Sequence, residues 1–285
     1  MLALPIVFFL IFKFYPMAGI QIAFKNFRVR KGMWNSEWVG FVWFEKYMSE
    51  PYFWQLVKNT VVLGVEQIVF TFPIPIIFAL LLNEIKSKKI HTLIENITYL
   101  PHFISVVIVA SMVTLFVARN GIVNDIVAFL GGERYLYMQD PNWFRPLFLI
   151  SKVWQEIGWS AIIYTAALTG VDLALYEAAI VDGAGRWQQT LHVTIPAILP
   201  TVSIMFIMAM GNIMSVSFEK VLLMQNALTY ETSDVISTYV YRKGLTGGQY
   251  SYSTAIDLFS TVINFSFIVI ANRICKRLDG GATLW

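Results

Sequence analysis

Six long apolar runs alternate with shorter polar stretches along this chain: 2–24, 53–82, 99–118, 147–168, 195–224 and 252–274. Each reaches the roughly 20 residues that an α-helix needs to cross a hydrocarbon core. The pattern predicts an all-α, polytopic membrane protein with six transmembrane helices in a single domain, residues 1–285. Several runs are longer and leave room for tilt or for extension beyond the hydrocarbon. Pro73 and Pro75 fall inside the second run and predict a kink, because each removes a helix hydrogen bond. Between the fourth and fifth runs the segment at about 172–195 is polar yet helix-forming. Gly170 and Asp172 supply a helix stop and an N-cap, good helix formers follow to Asp182, and Gly183, Ala184 and Gly185 allow a sharp turn. A second short helix over 186–193 is expected to run to Pro196 and into the fifth run. This reads as a helix–turn–helix knob on the membrane surface, kept for contact with something outside the bilayer.

Composition agrees. Hydrophobic residues make up 57% of the 285 residues and charged ones 14%, with a mean hydropathy of +0.61, which excludes an ordinary soluble domain. No basic region precedes the first run and no small-residue cleavage site follows it, so it is read as a retained helix and not a cleaved signal peptide. Trp34, Trp38, Trp43, Trp54 and Trp143 lie in or beside the loops, as an interfacial aromatic belt requires. The single cysteine, Cys275, and the scattered His91, His102 and His192 predict neither a disulfide nor a metal site, and no nucleic-acid partner is expected.

Polar residues inside the runs are costly against lipid and are therefore candidates for a water-filled pathway. Lys13, Glu66, Lys152, Glu156, Asn212, Glu219, Asp257 and Asn264 qualify by position. Lys152 and Glu156, four apart, can equally pair along one helix face, and Asn212 and Asn264 can equally make interhelical hydrogen bonds. If the solute is an acidic polymer, basic groups such as Lys13 or Lys152 should face it. An integral-membrane enzyme would need convergent acid, base or metal groups, and these are missing from the sequence pattern. A proton-coupled carrier or channel for a polar solute is the alternative reading, but it would not need the knob.

Glu177, Ala178, Ala179, Asp182, Gly183, Ala184, Val193, Ile195 and Pro196 together resemble the EAA loop of permease subunits from ABC importers, with Val193 and Ile195 as conservative departures. Segments at 72–84, 99–105, 140–147 and 238–245 are similar to carbohydrate-importer permeases, in particular the group for large oligosaccharides and polysaccharides, the alginate importers among them. Asp257 departs from that group, which commonly has glycine there. The resemblance implies a type I ABC importer permease fold in a bacterial cytoplasmic (inner) membrane, with the 177–184 loop and Pro196 coupling it to a cytoplasmic ATPase. It implies a heterodimer with a second, similar permease, two ATPase subunits that bind ATP and Mg, and an extracytoplasmic solute-binding protein that delivers a carbohydrate. The chain has no glycine-lysine phosphate loop, so no cofactor and no enzymatic activity of its own are expected. Lys86, Lys88, Lys89, Arg186, Arg273, Lys276 and Arg277 on one side nearly balance Lys25, Arg28, Arg30, Lys31 and Lys46 on the other, so the positive-inside rule is equivocal. Orientation is taken from the Glu177 loop instead, which puts both termini in the cytoplasm.

Overall fold

Among the described residues four helices are long and apolar enough to cross a bilayer, and the number rises to six if each of two bent helix pairs contributes one span. The computed structural model describes residues 2–279; Met1, residues 280–285 with the carboxyl terminus, and the side chains of Arg277, Leu278 and Asp279 lie outside what is described. The helices used below are α1 (Ala3–Phe24), α2 (Phe53–Asn83), α3 (Lys88–Phe103), α4 (Val106–Phe116) and α5 (Pro141–Thr169). They continue with α6 (Leu173–Val181), α7 (Arg186–Met210), α8 (Phe218–Met224) and α9 (Tyr250–Asp279). Among the described residues the only strand pairing is a two-residue antiparallel ladder, Lys25 opposite Trp38 and Asn26 opposite Glu37, in the loop after α1.

Three expectations from the pattern are corrected. The run at 99–118 is not one helix: α3 begins in the polar stretch at Lys88 and meets α4 at an angle of 97°. Pro101 tightens the chain into a 3₁₀ turn, and Ser105, in extended backbone, caps α4 by accepting from the Ile108 N–H. At eleven residues, α4 is only about 16 Å long, too short to cross alone. The run at 195–224 also divides, because α7 stops at Met210 and the chain is irregular over 211–217 before α8. The second arm of the knob is not a separate helix either. It is the start of α7, which passes Pro196 without a break because a π turn at Thr190–Thr194 shifts the hydrogen bond to Ile195 N–H→Thr190 O and widens the turn facing the proline ring. The proline kink in α2 takes the form of an interruption at Phe72, immediately before Pro73.

α5 is the central post. Its N-terminal half packs Phe144 and Phe148 with Leu63, Ala110, Val221 and Met224, and its C-terminal half packs Ala161, Tyr164 and Leu168 with Ala79 and Ile198. Lipid tails are as apolar as these side chains, so close van der Waals fit, not exclusion from water, selects the small residues at the crossings. Gly158 lets α3 cross α5, since a Cβ there would overlap the Thr98 carbonyl. Gly64 of α2 admits the irregular 211–217 segment in the same way, against the Ile213 carbonyl oxygen. The first part of α1 stands apart: every residue from Leu2 to Met17 is exposed, whereas the end of the helix packs inward and Ala23 is fully buried.

On the side away from the knob, the 226–246 connection is braced internally by an ion pair and bonded to α2 through Asn59 Nδ2, which donates to Asp234 O at 3.1 Å, and Thr60 Oγ1, which accepts from the Ile236 N–H at 2.9 Å. Asp234 is fully buried and takes two bonds from Arg242, at 2.6 and 3.2 Å, with a third from the Tyr52 hydroxyl at 3.1 Å and a fourth from Thr238 Oγ1 at 2.9 Å. Burial, and then Asp234, pushes the Tyr52 phenol up to about 12. Removing Asp234 leaves the half-buried Arg242 guanidinium without its carboxylate, a defect of about 3–5 kcal/mol. Asp234→Ala is expected to lower the Tm of the purified protein by at least several degrees, measured by nano-scale fluorimetry in detergent. A Tm within one degree of the parent would contradict it.

Candidate functional site

The knob is α6, its turn, and the first turns of α7. Asp172 caps α6 by accepting from the Ala174 N–H at 2.9 Å. The other end closes as a Schellman cap: the Ala184 N–H donates to Ala179 O at 2.8 Å and the Gly183 N–H to Ile180 O at 3.0 Å, with Gly183 at φ +79. Beyond the turn, Gln188 Oε1 accepts from the Gly185 N–H and Gln189 Nε2 donates to Ala184 O, both at 2.8 Å. A hydroxyl contact of 2.9 Å between Tyr176 and Thr194 ties the two arms together. The knob is therefore rigid although no residue of α6 is buried.

Its surface is unlike that of a solvated loop. Val181 is 86% exposed, and Leu173, Ile180 and Trp187 are likewise exposed beside Glu177. Ala178, Ala179, Asp182, Gly183 and Ala184 line a cavity of about 460 Å³ between the arms. An apolar surface projecting from the membrane is a liability unless a protein covers it. The turn at Gly183 has open space around it, so another backbone can come close. Pro196 sits at the membrane end of the same arm.

The polar candidates fall into three groups. Lys13, midway along α1, touches no partner within the described residues, and Lys152 and Glu156 pair at 3.7 Å along α5, the pairing that their spacing allows. Asn264, Asn212 and Asp257 lie in the 211–217 break or on α9, the helix that faces it. Asn264 Oδ1 accepts from the Met214 N–H at 2.9 Å, which satisfies one backbone donor of the 211–217 break, whereas Asn212 bonds its own helix at Met208 O, 3.1 Å. Tyr250, Thr254, Asp257, Thr261 and Asn264 follow at helical spacing, a polar stripe about 21 Å long on α9 that ends at the break. Irregular backbone at membrane depth is tolerated where it is buried in protein or lines water, and here Ile213, Met214 and Val216 are buried while Asn212 and Ser215 are exposed.

Sequence pattern missed a second polar cluster. Lys220 of α8, 1% exposed, donates to Gln155 Oε1 at 3.2 Å, and Gln155 Nε2 donates to Ile104 O at 3.1 Å, so α8, α5 and the α3–α4 bend are bonded in series. His102 stacks flat on Trp159 at 4.3 Å and lies 3.3 Å from Glu156. Lys220 was hidden because its neighbours Val221, Leu222, Leu223 and Met224 extend the fifth apolar run. Glu66, a further candidate, lies 3.8 Å from Arg145 between α2 and α5, and Glu219 is exposed. Where α5 begins, the Tyr135 hydroxyl bonds Asp140 and holds its carboxyl below the usual range.

Comparison with known proteins gives these features a context. The chain is 42% identical over 275 residues to Protein LplB of Bacillus subtilis, covering 96% of this chain and 86% of that protein. It is also 42% identical, over 272 residues, to the polygalacturonan/rhamnogalacturonan transport system permease protein YteP of the same organism, covering 95% and 85%. A crystal structure of a bacterial ABC transporter involved in import of the acidic polysaccharide alginate contains a chain that superposes with a TM-score of 0.90 at 40% identity, covering 97% of this chain and 93% of that one. A second structure, of the alginate transporter with an alginate pentasaccharide-bound periplasmic protein, matches with a TM-score of 0.90 at 39% identity, covering 98% and 93%. Residues 71–280, which contain the knob, the break and the polar stripe, match the family described as the binding-protein-dependent transport system inner membrane component, and the chain belongs to that family.

Proposed function

We propose that this chain is one of two similar membrane subunits of an ATP-driven importer of oligosaccharides or polysaccharides, and that it couples to cytoplasmic ATPases through its knob. The observation that carries this reading is the rigid knob with its uncovered apolar surface, in a chain of the transport family. Glu177, Ala178, Ala179, Asp182, Gly183 and Ala184 seat in an ATPase cleft, and Pro196 fixes the point where the arm enters the membrane. ATP and Mg are held by two ATPase subunits, and this chain hydrolyses nothing. A loaded extracytoplasmic binding protein delivers sugar to the far side, and the substrate class follows from the carbohydrate systems named for its relatives.

The second permease covers α1. A lysine at the centre of a helix that faces lipid costs about 2.5–3.5 kcal/mol, so Lys13 supports a protein neighbour for that helix. The sugar moves along Asn212, Asp257 and Asn264 while closure of the ATPases rocks the helices between inward- and outward-open arrangements. Lys152 and Glu156 neutralise one another and act as a structural pair.

Both termini lie in the cytoplasm in this reading, and introduced cysteines test it. In intact cells a membrane-impermeant maleimide should label Asn35→Cys and Thr246→Cys, while Ser87→Cys should react only after permeabilisation. The native Cys275 is buried, and its silence would report burial and not sidedness. Outside labelling of Ser87→Cys inverts the topology. The function itself is tested in liposomes that hold both permeases and the ATPases. Loaded binding protein should raise ATP hydrolysis at least fivefold and drive labelled oligosaccharide to the ATPase side; uptake indifferent to ATP or to binding protein overturns the reading.

A further inference from the structure

A cavity of about 400 Å³ lies beside the first two turns of α9 and reaches Phe218, where α8 follows the break. Its walls include Phe218, Ser237, Tyr241, Tyr250, Ser253 and Asp257. The Ser237 and Ser253 hydroxyls are buried and have no hydrogen-bond partner within the described residues, and Ser253 is 6% exposed. A buried hydroxyl without a partner costs about 1–3 kcal/mol, so two on one wall call for a ligand with polar groups of its own. Space for them is kept by Gly244, where a Cβ would press on Ser253 Oγ at 2.7 Å. Tyr241 and Tyr250 present part-exposed aromatic faces, and Tyr241 is braced by Phe218 at 5.4 Å. The only charge in the lining is the Asp257 carboxylate. The neighbouring Arg242 is committed to Asp234 and stacks over Tyr230 and Tyr239, and Lys243 lies over Tyr239.

We propose that this cavity is an extracytoplasmic subsite for one neutral sugar unit, and that Asp257 makes it reject uronate units. The inference rests on the reading of the chain as a carbohydrate permease and deepens it. A volume of about 400 Å³ is within the range of small-ligand pockets, and a mostly apolar lining with a few fixed polar groups is their usual composition. An ionised carboxylate only accepts hydrogen bonds, and a vicinal diol offers two donors to it. Serine hydroxyls and tyrosine tips complete the set for further sugar oxygens. A uronate carboxylate in the same place would face Asp257 with no basic group to compensate, and like charges in a partly dehydrated site repel. The subsite occupies the outer end of the polar stripe, the roughly 10 Å of α9 from Tyr250 to Asp257, where a chain of sugars is first taken from the binding protein.

Leu245→Cys places a thiol in the cavity wall, and Val240→Cys provides a second reporter should the first fail to assemble. The complete complex, both permeases with the ATPases, is held with ATP and vanadate and exposed to a maleimide, and mass spectrometry reads the labelled position. The probes are α-1,4-linked galactotetraose and tetragalacturonate, which differ at C6. Galactotetraose at 20 mM is expected to slow labelling at least fivefold, and tetragalacturonate less than twofold. Adding Asp257→Asn is expected to bring the two sugars within twofold of each other. Equal protection by both sugars with Asp257 present, no protection by galactotetraose, or a thiol that never reacts in either reporter each overturns the subsite. ATP hydrolysis stimulated by loaded binding protein is measured on the unsubstituted complex. That stimulation stands or falls with the importer reading, so the two ideas fail separately.

Discussion

Gly183→Val is expected to leave the chain folded in the membrane and to cut ATP hydrolysis stimulated by loaded binding protein at least tenfold. The residue sits at φ +79, where an L side chain costs about 1–2 kcal/mol and a β-branched one is an outlier. Relief comes by undoing the cap, which frees the carbonyls of Ala179 and Ile180 and lets the arms separate. Apart from its chain neighbours, nothing among the described residues lies within 4 Å of the added Cβ, so the bundle itself has no reason to respond. Gly183→Asn sharpens the test, because asparagine tolerates the left-handed region. Stimulation within about threefold of the parent for the asparagine variant would identify the backbone turn as the requirement. Full activity of the valine variant would remove the knob from the coupling mechanism.

Gly64→Ala is expected to be as damaging for a different reason. Its Cβ would overlap the Ile213 carbonyl oxygen and press on Ile213 Cγ1 at 2.9 Å, and neither a backbone carbonyl nor a packed branched side chain moves aside cheaply. Overpacking of this kind costs about 1–3 kcal/mol. The strain falls on the 211–217 break, where the Met214–Asn264 bond is the first to go. Oligosaccharide uptake should fall more than tenfold, with a Tm several degrees lower. Val65→Ala, one residue along on the exposed side of α2, should change neither by much. Uptake by Gly64→Ala within twofold of the parent would show that the close approach of α2 and the break is dispensable.

What could be read from the sequence depended on whether apolar pattern and backbone continuity coincide. They do in α1, α2 and α5, whose runs become helices in place. The knob was legible because Asp172, Gly183 and Pro196 are local signals, and local hydrogen bonds decide its shape. The break at 211–217 was not. Ile213, Met214 and Val216 are buried against other helices, and burial asks for the same residues that lipid does. The α3–α4 bend was concealed in the opposite way, since the first arm is amphipathic and contributes Lys88, Lys89 and Glu95 to what reads as a loop. Lys220 escaped because its partner, Gln155, is 65 residues away on another helix, a distance no periodicity spans.

α5 gives the molecule a lever. It is 29 residues long, about 43 Å, and turns through 70° into α6, joined by a connection too short to absorb motion. A tilt of about 10° imposed at the knob would carry the opposite end of so stiff a rod through about 7 Å. Along its length the rod holds Arg145 against Asn59, and Gln155 against both Lys220 and Ile104. Displacement therefore grows with distance from the pivot: small strokes at the knob become large ones at the far mouth. The force available there shrinks in the same proportion, so whatever closes that mouth must be held by contacts weak enough for a long, gentle stroke to undo.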